Sequence, residues 1–133
     1  MSEVTCYIAG PMRGYSLYNF PAFYAAQAEL ILSGWQVINP AEKDALEYGL
    51  TIPKMRKFPK DHDWTKLPEC MGHIRYSEII LNCLILIEEK CDAICMLPGW
   101  QKSTGAVHEY EFAVKMKGIP AFDADHIVNL NRR

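Results

Sequence analysis

Two hydroxyls, a glycine and a carboxylate are grouped in Ser103-Thr104-Gly105-Ala106-Val107-His108-Glu109 at a spacing that could do chemistry. The group follows the apolar run Asp92 to Leu97, which reads as a strand, and the loop Pro98 to Lys102, and it opens a helix. Small residues and hydroxyls at a helix start leave backbone N–H groups free to bind an anion. With Thr104 as N-cap and Gly105 as first helical residue, Glu109 sits about 6 Å further along the axis, at ~1.5 Å per residue. Helical side chains tilt toward the N-terminus, so Glu109 leans back toward whatever the cap region holds. The offset matches the reach from a 5′-phosphate to the anomeric carbon of a pentose, which suggests chemistry on a phosphorylated sugar. An ordinary capped helix with a surface glutamate accounts for the spacing equally well.

Other residues join or compete. Arg13 lies in the turn Gly10-Pro11-Met12-Arg13-Gly14, where its guanidinium can clamp a phosphate and the glycines let backbone approach a ligand. A solvated turn arginine is the plainer alternative, and pairing with Ser103 on the facing loop is what raises the functional one. Tyr7, near the end of the first strand, is either a core tyrosine or a hydroxyl that orients Glu109. Glu111, two residues on, points away from Glu109 and is placed to pair with Lys115 at i,i+4. Trp100 either stacks on a base or covers its loop.

The elements that must position these residues follow from the pattern. Val4 to Ala9 reads as a buried strand. A helix is expected from an Asn19 N-cap, with Pro21 in its first turn, Phe23, Tyr24, Ala28 and Ile31 at helical spacing, and Gly34 as its stop. Trp35 to Ile38 is a second strand, closed by Asn39-Pro40. Residues 41–73, with Pro53, Pro59, Pro68 and mixed charges, read as a loop or lid with one short helix at most. A helix over 74–90, the strand Asp92 to Leu97, a helix over 105–117 ended by Gly118, and the strand Ile119 to Phe122 complete the chain. This order predicts a doubly wound α/β domain over residues 1–133 with a parallel sheet. Ligands bind such sheets at the carboxyl ends of the strands, where loops 10–14 and 98–104 both fall.

Composition narrows the classes. With 133 residues, 50% hydrophobic and 23% charged, the chain is long enough for one core without disulfide or metal support. A net charge of −2 argues against a nucleic-acid surface. No apolar run approaches the ~20 residues that span a bilayer, and no signal-peptide pattern opens the chain, so no membrane partner and a cytoplasmic location are expected. The five cysteines (Cys6, Cys70, Cys83, Cys91, Cys95) form no C-x-x-C pair and read as buried free thiols. The four histidines (His62, His73, His108, His126) lack metal-ligand spacing, so neither metal nor other cofactor is expected.

Three blocks carry a family resemblance: Tyr7-Ile8-Ala9-Gly10-Pro11-Met12-Arg13-Gly14, Cys91-Asp92-Ala93-Ile94-Cys95-Met96-Leu97 and Ser103 through Glu109. Together they resemble the nucleoside 2-deoxyribosyltransferase superfamily over roughly residues 1–40 and 91–122. The resemblance implies a flavodoxin-like (Rossmann-like) fold, a homodimer or larger homo-oligomer with shared active sites, and cleavage of an N-glycosidic bond. Glu109 matches the family nucleophile, which forms a glycosyl ester at C1′, and Tyr7 matches the tyrosine that positions it. Transferases acting on free nucleosides resemble one another in an aspartate six residues before the nucleophile; the 2′-deoxynucleoside 5′-monophosphate N-hydrolases have a serine, as this chain has in Ser103. A serine beside helix N–H groups welcomes a phosphate dianion that an aspartate would repel.

The resemblance therefore implies hydrolysis of a nucleotide. Gly10, Arg13, Gly14, Ser103 and Gly105 would hold the phosphate, and Asn82 and Trp100 are candidates for the sugar or base. A family aspartate that contacts the sugar falls on Leu84 here, with Asn82 the substitute if the helix register differs. Base transfer by a deoxyribosyltransferase and a nucleotide sensor without turnover are the alternatives. A third is a faint likeness of Pro98-Gly99…Gly105…Glu109 to the P-G-G-x-G-T-x-x-E motif of phosphoribohydrolases, with Trp100 where that motif has its second glycine.

Overall fold

Both faces of Thr5–Ala9 (β1) are buried: Cys6 and Ile8 point into one apolar cluster, Tyr7 and Ala9 into another, all at 0% exposure. A strand covered on both faces belongs in the middle of a parallel sheet with helices above and below. The computed structural model describes residues 3–66 and 76–131 and has that arrangement. Gln36–Ile38 (β2) and Ala93–Met96 (β3) flank β1, and Ala121–Asp123 (β4) pairs with β3. All three pairings are parallel, in the order β2-β1-β3-β4, with Tyr7 opposite Ile38 on one side and Ile94 on the other. The chain runs from β1 outward to β2 and returns past β1 to β3. That reversal of direction makes the doubly wound, flavodoxin-like fold.

Phe20–Leu32 (α1) covers the Cys6–Ile8 face with Phe20, Phe23, Ala26 and Leu30. Phe23 takes its expected place in that stripe and Tyr24 packs partly against it, but Ala28 and Ile31 do not: both face solvent, Ile31 at 55% exposure. The helix is apolar nearly all round, so periodicity could not choose its buried side. Asn19 precedes the helix, as expected, yet its side chain does not cap it. Leu17, Tyr18 and Asn19 all lie in the left-handed region (φ 54°, 50° and 62°), and the Asn19 amide instead donates to the Pro11 carbonyl at 2.9 Å.

The segment expected to be irregular carries two helices. Pro40–Tyr48 (α2) starts where the Asn39 side chain accepts from the Ala41 N–H at 2.9 Å, and Ile52–Met55 (α3) starts on a Thr51 cap. Pro40 and Pro53 act here as first-turn residues, where the missing N–H costs little, rather than as breakers. Ala41, Leu50 and Met55 join the core, so this stretch is part of the domain's packing. Pro68, Cys70, His73 and the first two residues of the expected 74–90 helix lie outside the described residues.

Tyr76–Lys90 (α4) and Thr104–Glu111 (α5) cover the Tyr7–Ala9 face, with Cys83 and Ile87 buried against it. Beyond Glu111 the winding loosens into a π-helical turn, Phe112–Lys117, closed by Gly118 at φ 78°. The change of pitch shifts Lys115, and the expected Glu111–Lys115 pair does not form; the ion pair among the described residues is Lys43–Glu47. It also brings the Lys117 ammonium onto the carbonyls of Ile87, Glu88 and Cys91 at 2.7–2.8 Å, capping the end of α4. Cys6, Cys83, Cys91 and Cys95 are buried free thiols. No helix among the described residues is long and apolar enough to cross a membrane.

Candidate active site

The connections leaving β1 and β3 diverge to opposite faces of the sheet, and a cavity of about 320 Å³ opens between them. A crevice at this switch point is where doubly wound folds take ligands. Gly10 through Arg13 form one rim, and Gly99 with Lys102 through Ala106 form the other. The rims meet closely at their base. A Cβ on Gly10 would stand 2.6 Å from the Leu97 Cβ, so only glycine lets the two loops approach.

Glu109 is the most buried acidic residue among the described residues, 6% exposed on α5. Its Oε2 accepts the phenolic hydrogen of Tyr7, which comes up from β1 and is itself fully buried. The Cys83 thiol of α4 adjoins both. Burial pushes the Glu109 carboxyl up to about 7; the Tyr7 and Cys83 hydrogen bonds oppose that shift, and the nearby Asp44 adds to it. Tyr7 is likewise raised, by burial and then by the Glu109 charge, so it remains a hydrogen donor.

The helix start differs by one residue from the expected Thr104 cap. Ser103 is the N-cap: its hydroxyl accepts from the Ala106 N–H at 3.3 Å, and its carbonyl takes the Val107 N–H at 2.9 Å. The N–H groups of Thr104 and Gly105, at the first two helical positions, have no acceptor among the described residues and border the cavity. Counting from Thr104, Glu109 lies about 7.5 Å along the axis.

A model described as a domain of unknown function, DUF4406, matches residues 4–120. The chain belongs to the DUF4406 family. No curated protein and no solved structure matches it.

In this DUF4406 chain the fold gathers Gly10, Arg13, Asn82, Ser103, Gly105 and Glu109 on the wall of one cavity, with Tyr7 hydrogen-bonded to Glu109 behind it. Two expected residues fall elsewhere. Gly14 is off the wall, at φ 84°, and its N–H donates to the Trp64 carbonyl at 2.8 Å. Trp100 turns away and stacks on Tyr110, with centroids 4.5 Å apart, so it covers the loop rather than a ligand. Leu84 points into the core beneath α4, and its neighbours Asn82 and Cys83 face the cavity instead.

Sequence reasoning missed Asp44 and the aromatic side of the cavity. Asp44 lies on α2, 9% exposed, and burial pushes it up to about 7, with Lys43 opposing and Glu47 adding. The signal was present: Asn39-Pro40 is a strong cap followed by a first-turn proline, and a helix begun there carries Asp44 over the carboxyl end of β2. Tyr18, Phe20, Phe23, Tyr48 and Leu50 give the cavity an apolar half opposite the Ser103 rim. Tyr18 is fixed there by a 2.6 Å hydrogen bond to the Lys66 carbonyl, a 3.0 Å contact with His62 and an edge-on contact with Trp64.

Proposed function

We propose that this protein hydrolyses the N-glycosidic bond of a 2′-deoxynucleoside 5′-monophosphate, releasing free base and deoxyribose 5-phosphate. The observation that carries the proposal is the buried Tyr7–Glu109 pair in a cavity whose rim includes the Ser103 start of the same helix. A dry carboxylate held by a hydroxyl donor is suited to attack an anomeric carbon; in water the same group would be solvated and weakly nucleophilic. The Thr104 and Gly105 N–H groups and the exposed Arg13 supply anion-binding chemistry at the mouth. The aromatic half matches the flat, apolar faces of a base.

In this mechanism Glu109 bonds to C1′ as the C1′–N bond breaks, and the bonding pair leaves with the base. Water then attacks C1′ and releases Glu109 as carboxylate. Tyr7 keeps the carboxylate aimed and ionised. The reading includes assembly with a second copy, supported by the exposed Leu81 and Ile85 of α4 beside the wall residues Ile80, Asn82 and Cys83.

The test is to trap the glycosyl ester. Incubation with a 2′-fluorinated nucleotide, which slows both steps, followed by peptide mass spectrometry should place the sugar phosphate on Glu109. A sugar adduct on any other residue would refute this mechanism.

A further inference from the structure

Glu109 is not the only carboxyl group in the cavity. Asp44 reaches the same space from α2, on the far side of the sheet's carboxyl edge, and is nine-tenths buried. The Asp44 charge is near enough to disfavour the ionised form of Glu109. Their surroundings differ in one decisive respect. Glu109 receives the Tyr7 hydroxyl and adjoins the Cys83 thiol, whereas no hydrogen bond among the described residues reaches the Asp44 carboxylate, and the Lys43 ammonium beside it only partly offsets its burial. Hydrogen bonds favour the ionised form of the group that receives them, so the Tyr7 hydroxyl favours the Glu109 carboxylate, while burial favours the protonated form of Asp44.

Asp44 is also set on the aromatic side. Its neighbours on the wall include Pro40 and Tyr48 of its own helix and Phe23 of α1, the half of the cavity that matches a base. The α2 start that carries it is tied down: Asn39 caps the helix and donates to Gln27 at 2.7 Å, and Gln27 donates to Glu42 at 3.0 Å.

We propose that Asp44 is the proton donor to the departing base, acting across the cavity from the Glu109 nucleophile. The assignment rests on the N-glycosidase reading above. In the first step the Asp44 hydrogen passes to a ring atom of the base as the C1′–N pair moves onto the base and a Glu109 oxygen bonds to C1′. In the second step the Asp44 carboxylate takes a proton from the water that attacks C1′, and Glu109 leaves as carboxylate. No oxidant or further reactant is required.

The experiment is a leaving-group series in the wild type and in Asp44→Asn. Substrates are the 5′-monophosphates of deoxyuridine, deoxycytidine, deoxyadenosine and deoxyguanosine, and N7-methylated deoxyguanosine 5′-monophosphate, whose base departs neutral without a proton. Asp44→Asn should lose roughly 100-fold or more on the bases that need a proton, and far less on the N7-methylated one. Asp44→Ala should repeat that ratio if the Asn variant folds poorly. An equal loss on every substrate, or no loss on any, would overturn the assignment while leaving the glycosidase reading intact. Base release from none of them by the wild type would overturn both.

Discussion

Tyr7 donates its phenolic hydrogen to Glu109 across a sequence separation of 102 residues, and both side chains are buried. The contact exists because β1 and β3 are neighbours in register, which brings the residue beside Ile94 under the helix that follows β3. Glu109 has few other ways to be satisfied at that depth. Tyr7→Phe should therefore lower base release by about 10–100-fold, the equivalent of ~1–3 kcal/mol for a buried acceptor left short of a donor. Steady-state assays with thermal unfolding as the control check this; unchanged turnover in a folded variant would refute the role of Tyr7.

Stability should depend on pH through the same carboxylate. A folded-state pKa of about 7, above the ordinary 4.5, means that the folded protein holds the Glu109 proton more tightly than the unfolded chain does. This contribution is complete below roughly pH 4.5 and is lost as pH rises through about 7. Glu109→Gln should flatten that part of the profile and stabilise the protein by roughly 1–3 kcal/mol at pH 8. Urea unfolding at pH 5 and pH 8 measures it, and equal slopes in both proteins would count against the burial of an ionisable Glu109.

Ser103 combines helix capping with a place on the cavity rim. Aspartate caps a helix as well as serine does, so Ser103→Asp should fold normally. Its charge should raise KM for 5′-monophosphates by roughly 10–100-fold while changing KM for the matching nucleosides much less. A parallel rise for both substrate classes would mean that Ser103 does not face the phosphate.

The left-handed run Leu17–Tyr18–Asn19 costs about 1–2 kcal/mol for each residue and is held by the Asn19–Pro11 and Tyr18–Lys66 hydrogen bonds. Asn19→Ala removes the first bond and suits the left-handed region less well. It should cost about 1–3 kcal/mol of stability. Asn19→Gly loses the same bond but accepts the backbone, so it should cost less. Denaturant midpoints of the two variants compare them directly, and a larger loss for glycine would contradict the strain argument.

What the sequence disclosed follows from how local each signal is. The sheet was legible because β1 and β3 are short apolar runs bounded by Gly10-Pro11 and Pro98-Gly99, and parallel pairing followed from the alternation with helices. Glu109 stood out by its place one turn beyond a small-residue helix start, but Tyr7 read either as a core tyrosine or as its partner until the hydrogen bond between them was seen. The π turn after Glu111 was not, because nothing local distinguishes it from a continuing α-helix. Asp44 stayed hidden for another reason: an acid in the charged run Glu42-Lys43-Asp44 looks solvated until α2 docks beside α1 and takes the water away. Trp100 could not be assigned either way until Tyr110 was found stacked on it.

The most direct measurement incubates the purified protein and Glu109→Ala with 5′-monophosphates of deoxyribo- and ribonucleosides and with the matching nucleosides, reading free base by chromatography. Base released by the wild type from deoxynucleoside 5′-monophosphates in preference to nucleosides, and not by Glu109→Ala, is the expected result. Release that persists in Glu109→Ala, or no release from any substrate, would contradict the assignment of Glu109 as the nucleophile of a nucleotide N-glycosidase.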